Sequence, residues 1–258
     1  MFNRLMMSAF IGFCTAHAAL AGPVLTPNGS VAGINTGFGD VIGQGATLNV
    51  NVDATGLVSM TLNRGAGGLF DAAVIYFDSI GGGFTSTSGM NDTGDPGRRA
   101  ISGTNAAGSA DLTFAPGFSA DFAVTFETAF SGLFSLDSSS HGFVAAVSTD
   151  GTRDALDSSF SIAFHLSDIG LTLGESFDFV MTYLNPNPDD GGGAFRSNEF
   201  IGVASGSFSA GNIGTNSASL ATDDFVTVQT SRPEIIPTPA AFVAGLLGMA
   251  TLLGRRSR

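Results

Sequence analysis

The sequence predicts an all-β fold, specifically an antiparallel β-sandwich of jelly-roll-like type with long polar loops. In several segments apolar residues recur at every second position, which is the period of a half-buried strand. No interior segment sustains the apolar period of a helix. The 258 residues include 36 glycines, and serine, threonine, asparagine and aspartate separate the apolar segments. These residues favour turns, and many short strands joined by turns are typical of two sheets packed face to face.

The N-terminal segment has the organisation of a secretory signal peptide. Arg4 supplies positive charge, residues 5–13 are apolar, and Ala19 and Ala21 form a small-x-small cleavage pattern. We therefore assign residues 1–21 to a signal peptide cut by signal peptidase. Cys14 is the single cysteine of the chain and leaves with this segment. The exported body then has no disulfide, so its stability must come from an apolar core.

Strand predictions begin with a hairpin. Residues 47–52 and 58–62 both alternate between apolar and polar side chains, and residues 53–56 between them form a plausible turn. The continuous apolar run 72–77 predicts a strand buried on both faces. The remaining predicted strands lie at 118–126, 160–166, 177–183 and 225–228.

Polar segments separate the predicted strands. The two longest, residues 80–108 and 185–193, are expected to lie outside the sandwich as loops, and residues 206–224 form a further irregular stretch. The sandwich domain is predicted over 22–230. Residues 231–236 follow as a short linker to the C-terminal tail.

The C-terminal tail, residues 237–258, combines three features. Pro237, Thr238 and Pro239 precede an uncharged apolar segment predicted as a helix over 240–254, and the basic residues Arg255, Arg256 and Arg258 come last. About 15 helical residues span roughly 22 Å, which is shorter than the roughly 30 Å hydrocarbon core of a bilayer. Terminal arginines keep such a segment's end on the cytoplasmic side. The tail is therefore predicted to be a temporary membrane anchor.

This tail resembles the C-terminal signal of PEP-CTERM proteins, which Gram-negative bacteria export and exosortase enzymes process. Thr238 stands where that family usually has glutamate. The resemblance implies an exosortase-type sorting enzyme as partner. It also implies transient anchoring in the cell-envelope membrane, followed by a location at the cell surface or outside the cell.

The body resembles, more weakly, β-sandwich domains of the DOMON and family-9 carbohydrate-binding type. The resemblance rests on a buried strand ending in Asp78, a glycine-rich loop leading to Arg98, and later strands around Phe164 and Asp178. It implies a sandwich fold and an extracellular polysaccharide as a candidate partner.

Charge excludes one class of partner. Between residues 22 and 236 the chain has six arginines, no lysine and 22 acidic residues, a net charge of −16. Nucleic acid would be repelled by this charge. Divalent cations are compatible with it.

An acidic loop is the candidate metal site. Asp92 and Asp95, with Asp78 upstream, offer the oxygen ligands that calcium prefers, and no other cofactor is predicted. Aspartates that only form turns in a solvated loop are the alternative. The neighbouring Arg98 and Arg99 could bind a carboxylate or sugar hydroxyls, or could pair with nearby aspartates.

The sequence predicts no enzyme. Glu127, Glu175 and Glu199 could serve a secreted hydrolase, but sequence alone does not show whether any two face each other across a cleft. His141 and His165 lack metal-ligand spacing and are interpreted as surface residues. The function expected is that of a non-enzymatic surface or extracellular-matrix protein. The alternatives are a carbohydrate-binding module, with or without calcium, and a secreted hydrolase.

Overall fold

The computed structural model describes residues 25–31, 38–151, 153–187 and 191–202, together with the backbone of 209–210, 218–219 and 226–229. The predicted signal peptide, linker and sorting tail lie outside these residues. In the part of the chain so described, no helix is long and apolar enough to cross a membrane. Strands dominate, which confirms the all-β prediction.

Sixteen strands and three short helical segments are present in the described residues. In chain order the strands are β1 (Gly29–Val31), β2 (Thr47–Val52), β3 (Leu57–Asn63), β4 (Ala72–Asp78), β5 (Thr104–Asn105), β6 (Gly108–Ser109), β7 (Leu112–Thr113), β8 (Phe122–Phe126), β9 (Ser131–Ser135), β10 (Gly142–Ala146), β11 (Ser159–His165), β12 (Ser176–Asn185), β13 (Phe195–Ile201), β14 (Ser209–Ala210), β15 (Ala218–Ser219) and β16 (Val226–Gln229). The helix α1 spans Pro96–Ser102, and 3-10 turns span Thr87–Gly89 and Leu166–Ile169.

Two sheets account for most strands. The larger has eight strands in the order β1-β13-β12-β4-β8-β9-β10, with β16 also paired to β12. The smaller has the order β11-β3-β2. All strand pairs in these two sheets are antiparallel.

The predicted hairpin at the start of the smaller sheet is confirmed. Strands β2 and β3 pair directly, with Val52 opposite Val58. In the turn, the Asp53 carboxylate accepts hydrogen bonds from the backbone N–H groups of Thr55 (2.7 Å) and Leu57 (3.0 Å). Gly56 has φ 82°, a conformation that glycine adopts without strain. Local turn chemistry therefore sets this register.

Strand β4 is buried on both faces, as its continuous apolar run predicts. Ala73, Ile75 and Phe77 face one apolar cluster, whereas Val74 and Tyr76 face another. Successive side chains of a strand point to opposite faces, so a strand with two covered faces needs apolar residues at every position.

The first apolar cluster combines residues of both sheets. From the larger sheet, Phe77 of β4 packs edge to face against Phe164 of β11, with ring centroids 5.4 Å apart. Val50 and Met60 of the smaller sheet belong to the same cluster. The apolar core that the sequence predicts thus lies between these strands and contains several phenylalanines.

The second apolar cluster covers the other face of the larger sheet, and it corrects the expectation for residues 80–108. That segment was expected to lie outside the fold as a polar loop, but it packs on β4 and β8 through α1, in which Ala100 and Ile101 are fully buried. The prediction of no interior helix is also wrong. The helix has Asp95 as N-cap and Gly103 as left-handed C-cap, and seven residues are too few to show an apolar period.

The alternation at 118–126 describes a shorter strand than predicted. Strand β8 begins at Phe122, and Phe118 lies in the second cluster whereas Phe126 lies in the first. The change of face occurs around Asp121, whose carboxylate accepts hydrogen bonds from the N–H groups of Ser79 (3.0 Å) and Ile80 (2.9 Å). The hydrogen bonds of Asp121 to the loop after β4 therefore interrupt the segment that the sequence pattern predicts as one strand.

Candidate functional site

The acidic loop that was predicted to bind calcium holds an arginine. Arg98 Nε lies 3.3 Å from Asp92 Oδ2, and Arg98 Nη1 contacts Asp95 Oδ2. The Asp95 carboxylate also caps α1 by accepting a hydrogen bond from the N–H of Arg98 at 2.9 Å. Of the two alternatives for Arg98, the structure therefore shows pairing with nearby aspartates. The guanidinium charge neutralises Asp92 and Asp95, two of the three candidate calcium ligands.

Asp78 belongs to a different neighbourhood. Its carboxylate accepts a hydrogen bond from the N–H of Ser119 at 2.7 Å. Burial, and then the nearby carboxylates of Asp121 and Asp178, raise the pKa of Asp78, against the effect of that hydrogen bond. Among the described residues, no group of three His, Cys, Asp or Glu side chains is arranged to hold a metal ion. The calcium site stays a prediction.

His141 was interpreted as a surface residue, and this was wrong. Its side chain is buried, and its Nε2 lies 2.9 Å from Ser102 Oγ. The surface interpretation was right for His165, which is exposed at the end of β11. Burial lowers the pKa of His141. No local sequence pattern indicates this burial, because Asp92, Arg98 and Ser102, which contact His141, lie between 39 and 49 residues away in sequence.

The serine–histidine contact does not activate a nucleophile. His141 Nδ1 accepts a hydrogen bond from the N–H of Asp137 at 3.2 Å, so the ring proton is on Nε2. Nε2 then donates to Ser102, whose hydroxyl donates in turn to the carbonyl oxygen of Asp92 at 3.1 Å. A catalytic base would instead accept the serine proton. Because Ser102 is also fully buried, the pair is structural.

Two of the three glutamates considered for hydrolysis have structural partners. Glu199 is fully buried on β13, and its carboxylate accepts hydrogen bonds from the N–H groups of Asp40, Ile42 and Gly43, between 2.9 and 3.2 Å. Glu175 accepts two hydrogen bonds from Thr172 within a turn. These hydrogen bonds hold the Glu199 carboxylate against a loop and the Glu175 carboxylate within its turn.

Glu127 is placed differently. It lies in the loop that joins β8 to β9, and Thr125 Oγ1 donates to its carboxylate over 3.4 Å, a long contact. Burial is the main reason that the pKa of Glu127 is raised. Its side chain lines two cavities, of about 360 and 260 Å³, which share Pro96 and Glu127 in their walls.

We call these two adjacent cavities the Glu127 groove. At one end the larger cavity is lined by Phe70, Asp71 and Asn185, with Phe70 exposed by 75%. At the other end the smaller cavity is lined by Phe130 and Phe143, and also by Phe134, Asp95 and Arg98. Each cavity therefore has an exposed aromatic ring and charged groups in its wall, and Glu127 is common to both.

The aromatic end of the smaller cavity is an ordered cluster. The ring of Phe143 lies 5.6 Å from that of Phe134 and 6.3 Å from that of Phe130. The guanidinium of Arg98 lies 5.1 Å from the centroid of Phe134, a cation–π arrangement. Phe143 remains 53% exposed and Phe130 41%. The alternation in the sequence did not indicate this cluster, because Phe143 follows the polar run 137–141 and not an alternating segment.

No family model, curated protein or solved structure matches the chain.

Proposed function

We propose that this chain is an exported, non-enzymatic protein of the cell surface or extracellular matrix, with a two-sheet β-sandwich body of jelly-roll-like type. The observation that carries the proposal is the apolar cluster shared by the two antiparallel sheets, which gives a cysteine-free body a core of its own. The signal-peptide pattern at 1–21 and the sorting pattern at 237–258 support export and transient anchoring.

The arrangement of the polar residues supports a non-enzymatic role. In the described part of the chain, the buried serine–histidine pair has the wrong hydrogen-bond direction for catalysis, and Glu175 and Glu199 are engaged in turns and loops. Asp95, beside the remaining glutamate, is held by α1 and by Arg98. A pair of freely placed carboxylates, which glycoside hydrolysis requires, is not formed by these residues.

Mass spectrometry of the protein recovered from an exporting Gram-negative cell tests the sorting proposal. The expected mature form starts at Gly22 and has lost the apolar segment and the terminal arginines. In a variant with Pro237 and Pro239 both replaced by alanine, the sorting motif is absent, so the unprocessed C-terminus should accumulate in the membrane fraction. A protein that still ends at Arg258 in the medium would count against exosortase-type processing.

A second candidate function is carbohydrate binding, with or without calcium, and the Glu127 groove favours it. Sugar sites combine aromatic surfaces with polar groups that hydrogen-bond to hydroxyls, and the chain has no tryptophan to supply such a surface. The exposed rings of Phe70, Phe130 and Phe143 provide an alternative. Binding measured with added calcium and again with a chelator shows whether the ion takes part.

A further inference from the structure

We propose that the Glu127 groove binds an uncharged polysaccharide, with the sugar chain packed on Phe130 and Phe143 at one end and reaching Phe70 at the other. This inference rests on the carbohydrate-binding function proposed above and assigns its site and ligand class. It is carried by the aromatic rings, the central carboxylate, the charge of the walls and the dimensions of the groove.

The aromatic rings supply the apolar contact. Phe143 lies on β10, which is an edge strand of the larger sheet, and its ring is braced by Phe134 rather than covered. The face of an aromatic ring carries negative charge density and attracts the weakly positive C–H groups of a pyranose ring. A ligand also removes water from a large apolar side chain that is half exposed in a cavity wall, and burial of this apolar surface favours binding. Phe130 extends the same surface toward Glu127.

The carboxylate of Glu127 supplies the polar contact. Its one hydrogen bond from a side chain, Thr125, is long at 3.4 Å, so most of its acceptor capacity is available for groups in the groove. The two oxygens of a carboxylate can accept hydrogen bonds from two adjacent hydroxyls of a sugar. Because Glu127 lines both cavities, a chain that passes from one to the other must pass this group.

The charges of the groove select against acidic polysaccharides. Asp71, Asp95 and Glu127 line it, and the positive charge of Arg98 is already paired with Asp92 and Asp95. The body as a whole has a net charge of −16. Uronic-acid or sulfated chains would therefore meet repulsion over the whole approach, whereas uncharged hydroxyls would not.

The dimensions of the groove fit an oligomer rather than a single sugar. Its two cavities measure about 360 and 260 Å³; the larger is near the lower end of the usual range for ligand sites, roughly 300–1,000 Å³, and the smaller is just below it. Pro96 and Glu127 line both cavities, so the two cavities are adjacent. Exposed rings at both ends give an elongated ligand two separate contacts.

The test uses the full chain in detergent, screened on an array of uncharged hexose oligomers beside uronic-acid oligomers. Calorimetric titration with the best uncharged oligomer then compares four proteins. Phe143→Ala and Glu127→Gln should each weaken binding on the order of tenfold, a difference of about 1.4 kcal/mol. Ile80→Ala removes a side chain of comparable exposure, 45%, that lines neither cavity, and should bind as the unmodified chain does.

Each outcome bears on the proposal. An unchanged melting temperature in Phe143→Ala together with weaker binding supports it. Absence of binding to any uncharged oligomer, stronger binding to uronic-acid oligomers, or equal binding by all four proteins would overturn it. If the protein is exported and processed but binds no glycan, this inference fails while the proposed export function stands. Release of reducing sugar during titration would instead overturn the non-enzymatic function.

Discussion

At the scale of single residues, a buried polar network joins the acidic loop to the loop before β10. His141 contacts Ser102 through one ring nitrogen and the N–H of Asp137 through the other, and its own backbone N–H donates to Asp92 Oδ2 at 2.7 Å. Arg98 completes the network by donating from Nε to the carbonyl oxygen of His141 at 3.3 Å. Every ring nitrogen of this histidine has a partner only when the ring is neutral.

The neutrality of His141 predicts a pH dependence of stability. Burial holds its folded-state pKa below the unfolded value of about 6.5, although Asp92 favours the charged form. As pH falls through 6.5, the unfolded chain takes up a proton that the folded chain does not. The contribution of His141 to the free energy of unfolding should therefore decrease from pH 7.5 to pH 5.5, whereas carboxyl groups whose pKa burial raises contribute in the opposite direction. Urea denaturation at both pH values measures it.

The contribution of His141 is isolated by a variant that lacks its imidazole. His141→Gln cannot titrate, so its unfolding free energy at pH 7.5 minus that at pH 5.5 should be smaller than the same difference in the unmodified chain. Acidic residues such as Glu127 and Glu199, whose pKa values burial raises, titrate in both proteins and cancel in the comparison. Equal slopes in His141→Gln and the unmodified chain would contradict the assignment.

At the scale of elements, α1 is a short helix fixed at both ends by sequence-local signals. Asp95 caps its start, Pro96 occupies its first turn, and Gly103 ends it with φ 64°. The N–H of Gly103 bonds to the carbonyl oxygen of Ala100 at 3.2 Å. This helix brings Arg98 to the Glu127 groove and Ala100 to the sheet, so its ends position both the site and the second apolar cluster.

Replacing Gly103 with alanine should destabilise the protein for two reasons. A left-handed backbone costs a non-glycine residue about 1–2 kcal/mol. The added Cβ would also lie 2.8 Å from the carbonyl oxygen of Ala110 and 2.7 Å from Arg196 Nη2, and crowding of this kind costs about 1–3 kcal/mol more. Thermal and urea unfolding measure the sum.

Gly117 is the matched control for this substitution. It also has a positive φ, 92°, but an added Cβ would meet nothing within 4 Å. Gly117→Ala should therefore show only the backbone contribution. If both variants lose the same stability, the close packing of Gly103 against Ala110 is not the cause.

At the scale of the whole molecule, the proposed sandwich depends on contacts between strands that belong to different sheets. The Phe77–Phe164 pair is such a contact, because β4 is in the larger sheet and β11 in the smaller. A double-mutant cycle with Phe77→Leu and Phe164→Leu should give a coupling energy of about 0.5–1.5 kcal/mol. Urea denaturation of the two single variants and the double variant provides it.

A second cycle controls for general destabilisation. Phe77 and Phe118 lie on opposite faces of the larger sheet, in the first and second clusters respectively. Their substitutions to leucine should be additive within about 0.5 kcal/mol, because the two side chains lie in different apolar clusters. A Phe77–Phe164 coupling no larger than this control would argue against packing of the two sheets on each other.

Much of the fold was predictable because the signals are local. The hairpin of β2 and β3, the doubly buried β4 and the alternating β11 agree with their sequence patterns. Strand β12 was predicted, but from Phe179 to Leu184 it is buried on both faces instead of on alternate residues. Strand β13 was missed because it has the sequence Phe-Arg-Ser-Asn-Glu-Phe-Ile, with four polar residues in succession. Those four are fully buried, and the loop N–H groups that donate to the Glu199 carboxylate lie more than 150 residues away in sequence.

The sequence alone determined the all-β class, the acidic cysteine-free body and the expectation of export, because periodicity, composition and terminal motifs are properties of adjacent residues. Only the tertiary structure decided that Arg98 fills the acidic loop, that His141 is buried, and that Glu127 shares a groove with Phe130 and Phe143. These facts depend on which loops meet at the edge of a sheet. Burial and pairing there are set by residues far apart in the chain, and no local pattern records them.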